Sequence, residues 1–288
     1  MRTATRGDAP RPNSRAGQPA LCSPLRSRVV GRVATPDATE LSGLSLSRTQ
    51  PGVLWTHNDS GDSARVFAVA ADGLLRAELA VPNAAHIDWE EIAVGRAPSG
   101  DGDALYIGDI GDNLAARPQI TVYVVPEPRL RNRPAQTAPA APIALKYPSG
   151  AHDAEALLVD PSSGALVIVT KSFGGVALVY SSGPRAAAGT LQRVGSLSLG
   201  AGDAVTAGSV SADGRTIVLR SYGGAVAWAR QAGESLPDAL RRAPCVVGAA
   251  LGAEGQGEAL AVDRNGRALY TVPEGKRPAI RRYEPPGS

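Results

Sequence analysis

Apolar residues along this 288-residue chain come in short runs, each closed off by Gly, Pro, Asn, Asp or another turn residue. Five runs follow a Gly-containing turn: Val53-Leu-Trp-Thr, Leu105-Tyr-Ile, Leu166-Val-Ile-Val, Thr216-Ile-Val-Leu and Leu269-Tyr-Thr-Val. They are rich in β-branched and aromatic residues, and no long stretch carries apolar residues at helical spacing. The pattern predicts an all-β chain of many short strands and turns. The 33 Gly and 23 Pro support the same reading.

A second repeated segment precedes each run. Its copies are Glu40-Leu-Ser42-Gly-Leu-Ser-Leu, Asp88-Trp-Glu90-Glu-Ile-Ala-Val, Asp153-Ala-Glu155-Ala-Leu-Leu-Val, Ala204-Val-Thr206-Ala-Gly-Ser-Val and Gln256-Gly-Glu258-Ala-Leu-Ala-Val. The equivalent positions Ser42, Glu90, Glu155, Thr206 and Glu258 are spaced by 48, 65, 51 and 52 residues. A period of about 40 to 50 residues with several short strands marks a β-propeller, because one blade cannot bury both of its faces alone. Five copies predict a single five-bladed ring over residues 28–288, preceded by a basic, disordered tail at 1–27. A six-bladed ring is the alternative, but its extra blade would have to come from the 65-residue gap, where no sixth copy is found.

Each copy is preceded by a further apolar segment: Ala77-Glu-Leu-Ala-Val81, Ile143-Ala-Leu-Lys-Tyr147, Leu191-Gln-Arg-Val194 and Cys245-Val-Val247. Ahead of the first copy stands Arg28-Val-Val-Gly-Arg-Val33. In a propeller the strand before an innermost strand belongs to the previous blade. Residues 28–33 should therefore finish the last blade beside Arg281-Arg-Tyr283, removing the open edge between the chain ends. The stretch Pro128–Pro142 reads as a long surface loop.

Acidic positions within the motif stand two apart, as Asp88 with Glu90 and Asp153 with Glu155, and residues i and i+2 of a strand share a face. On innermost strands both would look into the central channel. Glu90, Glu155 and Glu258 are thus candidate metal ligands, since converging carboxylates repel unless a metal, a basic group or protons compensate. The structural alternative is that each Glu binds backbone N–H groups of the neighbouring blade. A second ring is expected where the next strand of each blade ends, with Asn58, Asp59, Asp109, Lys171, Arg220 and Glu274 as candidate ligand-binding residues. Mixed charges there suit a site, although turns are polar in any case.

The three histidines, His57, His86 and His152, show no His-x-His or His-x-x-x-His pairing of a metal triad. His57 and Asp109 are the candidate catalytic bases, although a surface turn histidine is the commoner reading of His57. Asn58-Asp-Ser-Gly-Asp62 lacks the Gly at position six and the Glu at position twelve of an EF-hand. No Gly-x-Ser-x-Gly, Ser-x-x-Lys or phosphate-binding Gly-rich loop is present, which weakens serine-hydrolase and nucleotide readings.

Charge is unevenly placed. Residues 1–32 carry seven Arg and one Asp, a net of +6, leaving about −3 on the other 256 residues of a chain whose total is +3. The basicity belongs to the tail, so a nucleic-acid partner is not expected. No run approaches a membrane span of about 18 apolar residues. The tail lacks the apolar core of a secretory signal. Cys22 and Cys245 each precede a Val-Val pair, and they read either as a disulfide of an oxidising compartment or as two unpaired buried cysteines. A monomer is expected.

With these motifs assembled, the chain resembles a family of uncharacterised bacterial propeller proteins, frequent in actinobacteria and often exported. The resemblance rests on His57-Asn-Asp-Ser-Gly-Asp62, Asp88-Trp-Glu-Glu-Ile-Ala-Val94, Tyr106-Ile-Gly-Asp-Ile-Gly-Asp-Asn113, His152-Asp-Ala-Glu-Ala-Leu-Leu158, Val169-Thr-Lys171 and Gln256-Gly-Glu258-Ala259. It spans roughly 28–283 and implies an extracytoplasmic protein, with a cytoplasmic one as the alternative. More distantly, the chain is similar to esterase-like phytase propellers and to calcium-dependent lactonase and strictosidine-synthase-like propellers. That likeness implies Ca2+ held by Glu90, Glu155 and Glu258, although Ser42 and Thr206 interrupt the acidic ring. The functional expectation is a propeller binding a cation or small polar ligand in its channel. The alternatives are a metal-dependent hydrolase of ester, lactone or phosphoester bonds and a protein-interaction scaffold, so whether the chain is an enzyme stays open.

Overall fold

The computed structural model describes residues 17–287, and it is a five-bladed β-propeller of antiparallel sheets. The innermost strands are Leu41–Leu46, Trp89–Arg96, Ala154–Val159, Val205–Val210 and Ala259–Val262, one for each repeat of the motif. The second strands are the five apolar runs: Val53–Asn58, Asp103–Asp109, Leu166–Thr170, Thr216–Ser221 and Leu269–Val272. We number the blades 1 to 5 in this order.

Both faces of each sheet are covered, which is why the inner two strands are buried along almost their whole length. One apolar layer fills each gap between neighbouring blades. Trp55, Leu79, Trp89 and Ile107 lie between blades 1 and 2, and Tyr106, Leu157, Ile168 and Tyr180 lie between blades 2 and 3. The remaining gaps are filled in the same way, the last by Leu44, Phe67, Ala261 and Ile280 between blades 5 and 1. Burial of this kind is worth roughly 25 cal/mol per Å² and outweighs the weak local preferences of such Gly-rich segments.

The ring closes as the pattern predicts. Arg26–Arg32 is the outer strand of blade 5 and pairs antiparallel with Ala279–Glu284, Arg28 opposite Arg282 and Val29 opposite Arg281. Of the tail expected over 1–27, residues 1–16 lie outside the described residues. Residues 17–27 are not a free tail, because Leu21 is buried against Val247 and Leu251 and the closing strand begins at Arg26. Cys22 and Cys245 form a disulfide with Cα atoms 5.9 Å apart, joining the segment before the closing strand to blade 4.

Outer edges are patched by chain on its way to the next blade. Ala80 of blade 1 donates to Ala135 O (3.2 Å) and accepts from Thr137 N (2.9 Å). Gly189–Thr190 adds a short parallel strand to the outer edge of blade 2. At blade 4, Leu25 N donates to Gly248 O at 2.8 Å. The stretch 128–142 therefore differs from a plain surface loop, since the unpaired edge of Leu75–Ala80 draws it into strand-like pairing. Among the described residues no helix is long and apolar enough to cross a membrane.

Candidate functional site: an acidic mouth on the propeller axis

The inner strands begin with an irregularity that fixes what faces the axis. In blades 2, 3 and 4 the residue at the motif position is skipped in the pairing with the second strand: Trp89 pairs with Asp109 and Glu91 with Gly108, leaving Glu90 unpaired. Glu155 and Thr206 are skipped in the same way. Such a bulge re-aims a side chain out of the regular alternation. In blade 1 the skipped residue is Gly43, whose φ of +57° and whose approach to Ile92 N (2.6 Å from an added Cβ) require glycine.

Seven carboxylates gather at this end. Asp59, Asp88 and Glu90 form one group whose oxygens lie within 4.8 Å of one another, Asp59, Glu258 and Glu274 a second, and Glu90, Asp153 and Glu155 a third. Shared members make the three groups one continuous arc over blades 1, 2, 3 and 5. Glu90 and Glu155 are each 2% exposed. Glu155 Oε2 is buried without a hydrogen-bond partner. Lys171 answers this charge by pairing with Glu155, its ammonium 5.8 Å from the Tyr222 ring centre. Tyr222 OH donates to Glu258 at 3.0 Å, and Tyr222 stacks on exposed Phe173.

Crowding of like charge shows in the acidities. Burial, and then Glu155, Asp59 and Asp88, raise Glu90 well above the ordinary carboxyl range. Burial raises Glu155 to about 8, Glu258 adding to the rise and Lys171 opposing it. Glu274 is pushed up to about 8 by burial and by Glu258, and Asp88 to about 6 by burial, Asp59 and Asp153. Asp59 is raised as well, chiefly by burial. Seven carboxyls this close cannot all ionise without a counter-charge, so several hold protons near neutrality.

Ser42 and Thr206, which interrupt the acidic series, serve the ring itself. Ser42 Oγ donates to Glu90 O at 2.7 Å and Thr206 Oγ1 to Gly257 O at 3.1 Å, each reaching the next blade. Three residues on, Ser45 Oγ accepts from Val94 N and Ser209 Oγ from Val262 N, both at 3.1 Å.

The second ring is only partly gathered. Asp59 and Lys171 follow their second strands directly, Glu274 follows its own after Pro273, and all three join the mouth. Asn58 lies one residue earlier and is spent on Asp37 O (2.7 Å) and Asp62 (2.8 Å). Asp109, one residue too early, turns to the other face and pairs with Arg117 at 2.8 Å. Arg220 sits two residues before Tyr222 and is buried between blades 4 and 5, paired with Glu254 at 2.8 Å. The two candidate bases are both buried. His57 is wholly buried, its Nδ1 hydrogen-bonded to Asn58 O at 2.8 Å, and burial pushes it down to about 4. Asp109 is also 0% exposed, its Oδ1 accepting from Asp88 N at 3.2 Å.

Two important residues lie outside the sequence reading. Glu91 occupies the slot held by Gly43, Ala156, Ala207 and Ala259 in the other motifs, and that exception was the signal for it. Its carboxylate, buried beneath the mouth, accepts from Leu44 N (3.3 Å), Ile92 N (3.0 Å) and Gly208 N (2.8 Å). Gly111 packs against the carboxylates themselves: a Cβ there would lie 2.3 Å from Glu90 Oε1 and 2.5 Å from Asp88 Oδ2.

No protein-family model matches the chain, and no curated protein matches it. Among solved structures it is similar to a gluconolactonase of Xanthomonas campestris, described as important in glucose secondary metabolic pathways. The match has 14% identity, a TM-score of 0.46, and coverage of 93% of this chain and 96% of that one. At that level the site must be read from its own side chains.

Proposed function

We propose that the acidic mouth binds a divalent cation of the calcium type. The observation that carries this reading is the convergence of the Glu90 and Glu155 carboxylates with their acidic neighbours, one Glu155 oxygen being buried and orphaned. A buried carboxylate oxygen left unsatisfied is costly, and a hard cation taking several oxygen ligands would satisfy it while offsetting the charge of its neighbours. The donors fit: Glu90, Glu155 and Glu258, with Asp59, Asp88 and Asp153 beside them, offer only carboxylate oxygens. Of the expected ligand-binding residues, Asp59, Lys171 and Glu274 belong to this mouth.

The test is thermal melting of the chelated protein with calcium, magnesium and zinc restored singly. Preferential binding to the folded state predicts a rise with calcium, and Glu90→Gln should abolish that rise. No shift with any ion would overturn the reading and favour an organic ligand or a scaffold.

A second reading, hydrolysis of an ester, lactone or phosphoester, is supported by Asp88. Half-buried beside Glu90 and raised to about 6, it is placed to take up and release a proton near neutrality. A bound cation would supply polarisation of the scissile oxygen. Turnover of chromogenic esters, lactones and phosphoesters that is lost in Asp88→Asn would support it, and ion binding without turnover would leave a binding protein. The Cys22–Cys245 bridge supports an extracytoplasmic setting.

A further inference from the structure

The axis has a second end. Beyond Glu91 the inner strands close on one another, and the space among Ile92, Leu157 and Gly208 holds only about 10 Å³, at the lower limit for one water. Past this neck the channel opens into a cavity of about 270 Å³, lined among others by Ser45, Arg48, Ser209, Arg264, Tyr270 and Arg282. The neck separates it from the acidic mouth, and its lining carries three arginines against one aspartate.

Hydrogen-bond donors outnumber acceptors in this cavity. Arg264 has no carboxylate partner among the described residues, and its guanidinium is held toward Arg48 by a bond to the Arg48 carbonyl. Arg282 lies 5.7 Å from the Tyr270 ring centre and pairs with Glu284 at 2.8 Å, yet its Nε is buried with no acceptor. Arg48 pairs with Asp103 at 3.2 Å. The acidic residue of the lining, Asp263, is engaged within its own turn: Oδ1 accepts from Arg267 N (2.6 Å) and Ala268 N (3.0 Å), and the Asn265 amide, in the orientation that satisfies both of its ends, donates to Oδ2 at 2.8 Å. Ser45 and Ser209 use their oxygens as acceptors for Val94 N and Val262 N, which leaves both hydroxyl protons to donate. A cavity with one guanidinium that has no carboxylate partner among the described residues, an orphaned Nε–H and two hydroxyl protons left to donate is short of acceptors, and the group that matches such donors is a tetrahedral oxyanion.

We propose that this end of the ring is a binding site for a phosphate group, held by Arg264 and Arg282 with Ser45 and Ser209. The phosphate could be free or carried by a small organic monoester, since the cavity exceeds the bare ion. The site is independent of the cation at the opposite mouth.

The test is calorimetric titration of the full chain with inorganic phosphate and with glycerol phosphate, at ionic strength held constant by chloride. Saturable one-site binding is expected, weakened about tenfold or more in Arg264→Ala, as loss of a charge-assisted bond predicts. It should be unchanged in Arg76→Ala, an exposed arginine outside the cavity, and in Glu90→Gln. Much tighter binding of glycerol phosphate would identify an organic monoester, and equal binding the free ion. No saturable heat, or equal affinity in Arg264→Ala with its fold intact by circular dichroism, would overturn the proposal. The Glu90→Gln arm keeps this outcome separate from the fate of the cation reading.

Discussion

Glu91 Oε2 accepts a hydrogen bond from Gly208 N at 2.8 Å, although 117 residues separate the two. The bond runs from the inner strand of blade 2 to that of blade 4, and the other oxygen takes Leu44 N of blade 1 and Ile92 N. One side chain therefore ties three inner strands together beneath the mouth. Truncation leaves three buried N–H groups without an acceptor, each costing about 1–3 kcal/mol. Glu91→Ala should lower stability by on the order of 3 kcal/mol or more, and Glu91→Gln by less, because one amide oxygen still accepts. Urea unfolding of both variants checks this, and equal midpoints for Glu91→Ala and the parent would show that the strut contributes nothing.

The raised acidities make stability depend on pH with a definite sign. Glu155 and Glu274 titrate at about 8 in the folded state and Asp88 at about 6, all above their ordinary values. Between those limits the folded protein keeps protons that the unfolded chain has released, so stability falls as pH rises. The contribution is complete below about pH 4 and is lost as pH rises through about 6 for Asp88 and about 8 for Glu155 and Glu274. Asp62 and Asp160 act in the opposite sense: Arg65 holds Asp62 low, and Ser162 and Arg230 hold Asp160 low, each against the effect of burial. Their stabilisation is lost only as pH falls below about 4, outside this window. The chelated protein should therefore melt progressively lower from about pH 5 to about pH 8, and saturating calcium should remove most of the decline by replacing protons. A flat profile in chelator would show that the mouth carries no strained charge.

The disulfide and the closing strand act on the same seam. Cys22 and Cys245 are separated by 223 positions, and the bridge fixes the segment that leads into Arg26–Arg32. Constraining so long a loop in the unfolded chain is worth roughly 2–5 kcal/mol. Cys22→Ser with Cys245→Ser should lower the melting temperature accordingly while leaving the propeller folded. Deleting residues 26–32 should do far more, because it strips blade 5 of its outer strand. Deletion of residues 1–16 serves as the comparison in the same melting series, and a loss as large as that of the 26–32 deletion would contradict the closure.

The ring was legible in the sequence because each blade must meet the same packing problem. The motif around Ser42, Glu90, Glu155, Thr206 and Glu258 recurs wherever an inner strand begins, and the segment at 28–33 shows its role by standing where an outer strand stands in every other repeat. Register was less legible. Asp109 misses the mouth by one residue, a shift that changes the face a strand residue serves, and Arg220 by two, which sets it deeper along the strand; polarity alone reveals neither. Glu91 was marked only by contrast with the small residues at the same slot. Its partner Gly208 belongs to a blade two places away, a proximity that exists only once the ring is closed.

Gly111 offers a test of the mouth that leaves its charge untouched. The residue lies in Asp109-Ile-Gly-Asp112 after the second strand of blade 2, and its Cα faces the Glu90 and Asp88 carboxylates. A methyl group would sit 2.3 Å from Glu90 Oε1, closer than any stable contact, so the carboxylates must move aside. They are the free ends of side chains and can do so without unfolding the ring, and φ at this position is not among the positive values that favour glycine. Gly111→Ala should fold with stability within about 1–2 kcal/mol of the parent, the usual range for a modest overpacking. Its calcium-dependent rise in melting temperature should nevertheless shrink sharply, because displaced carboxylates no longer converge. A variant that retains the full calcium response would place the ion away from Glu90 and Asp88, toward the group formed by Asp59, Glu258 and Glu274.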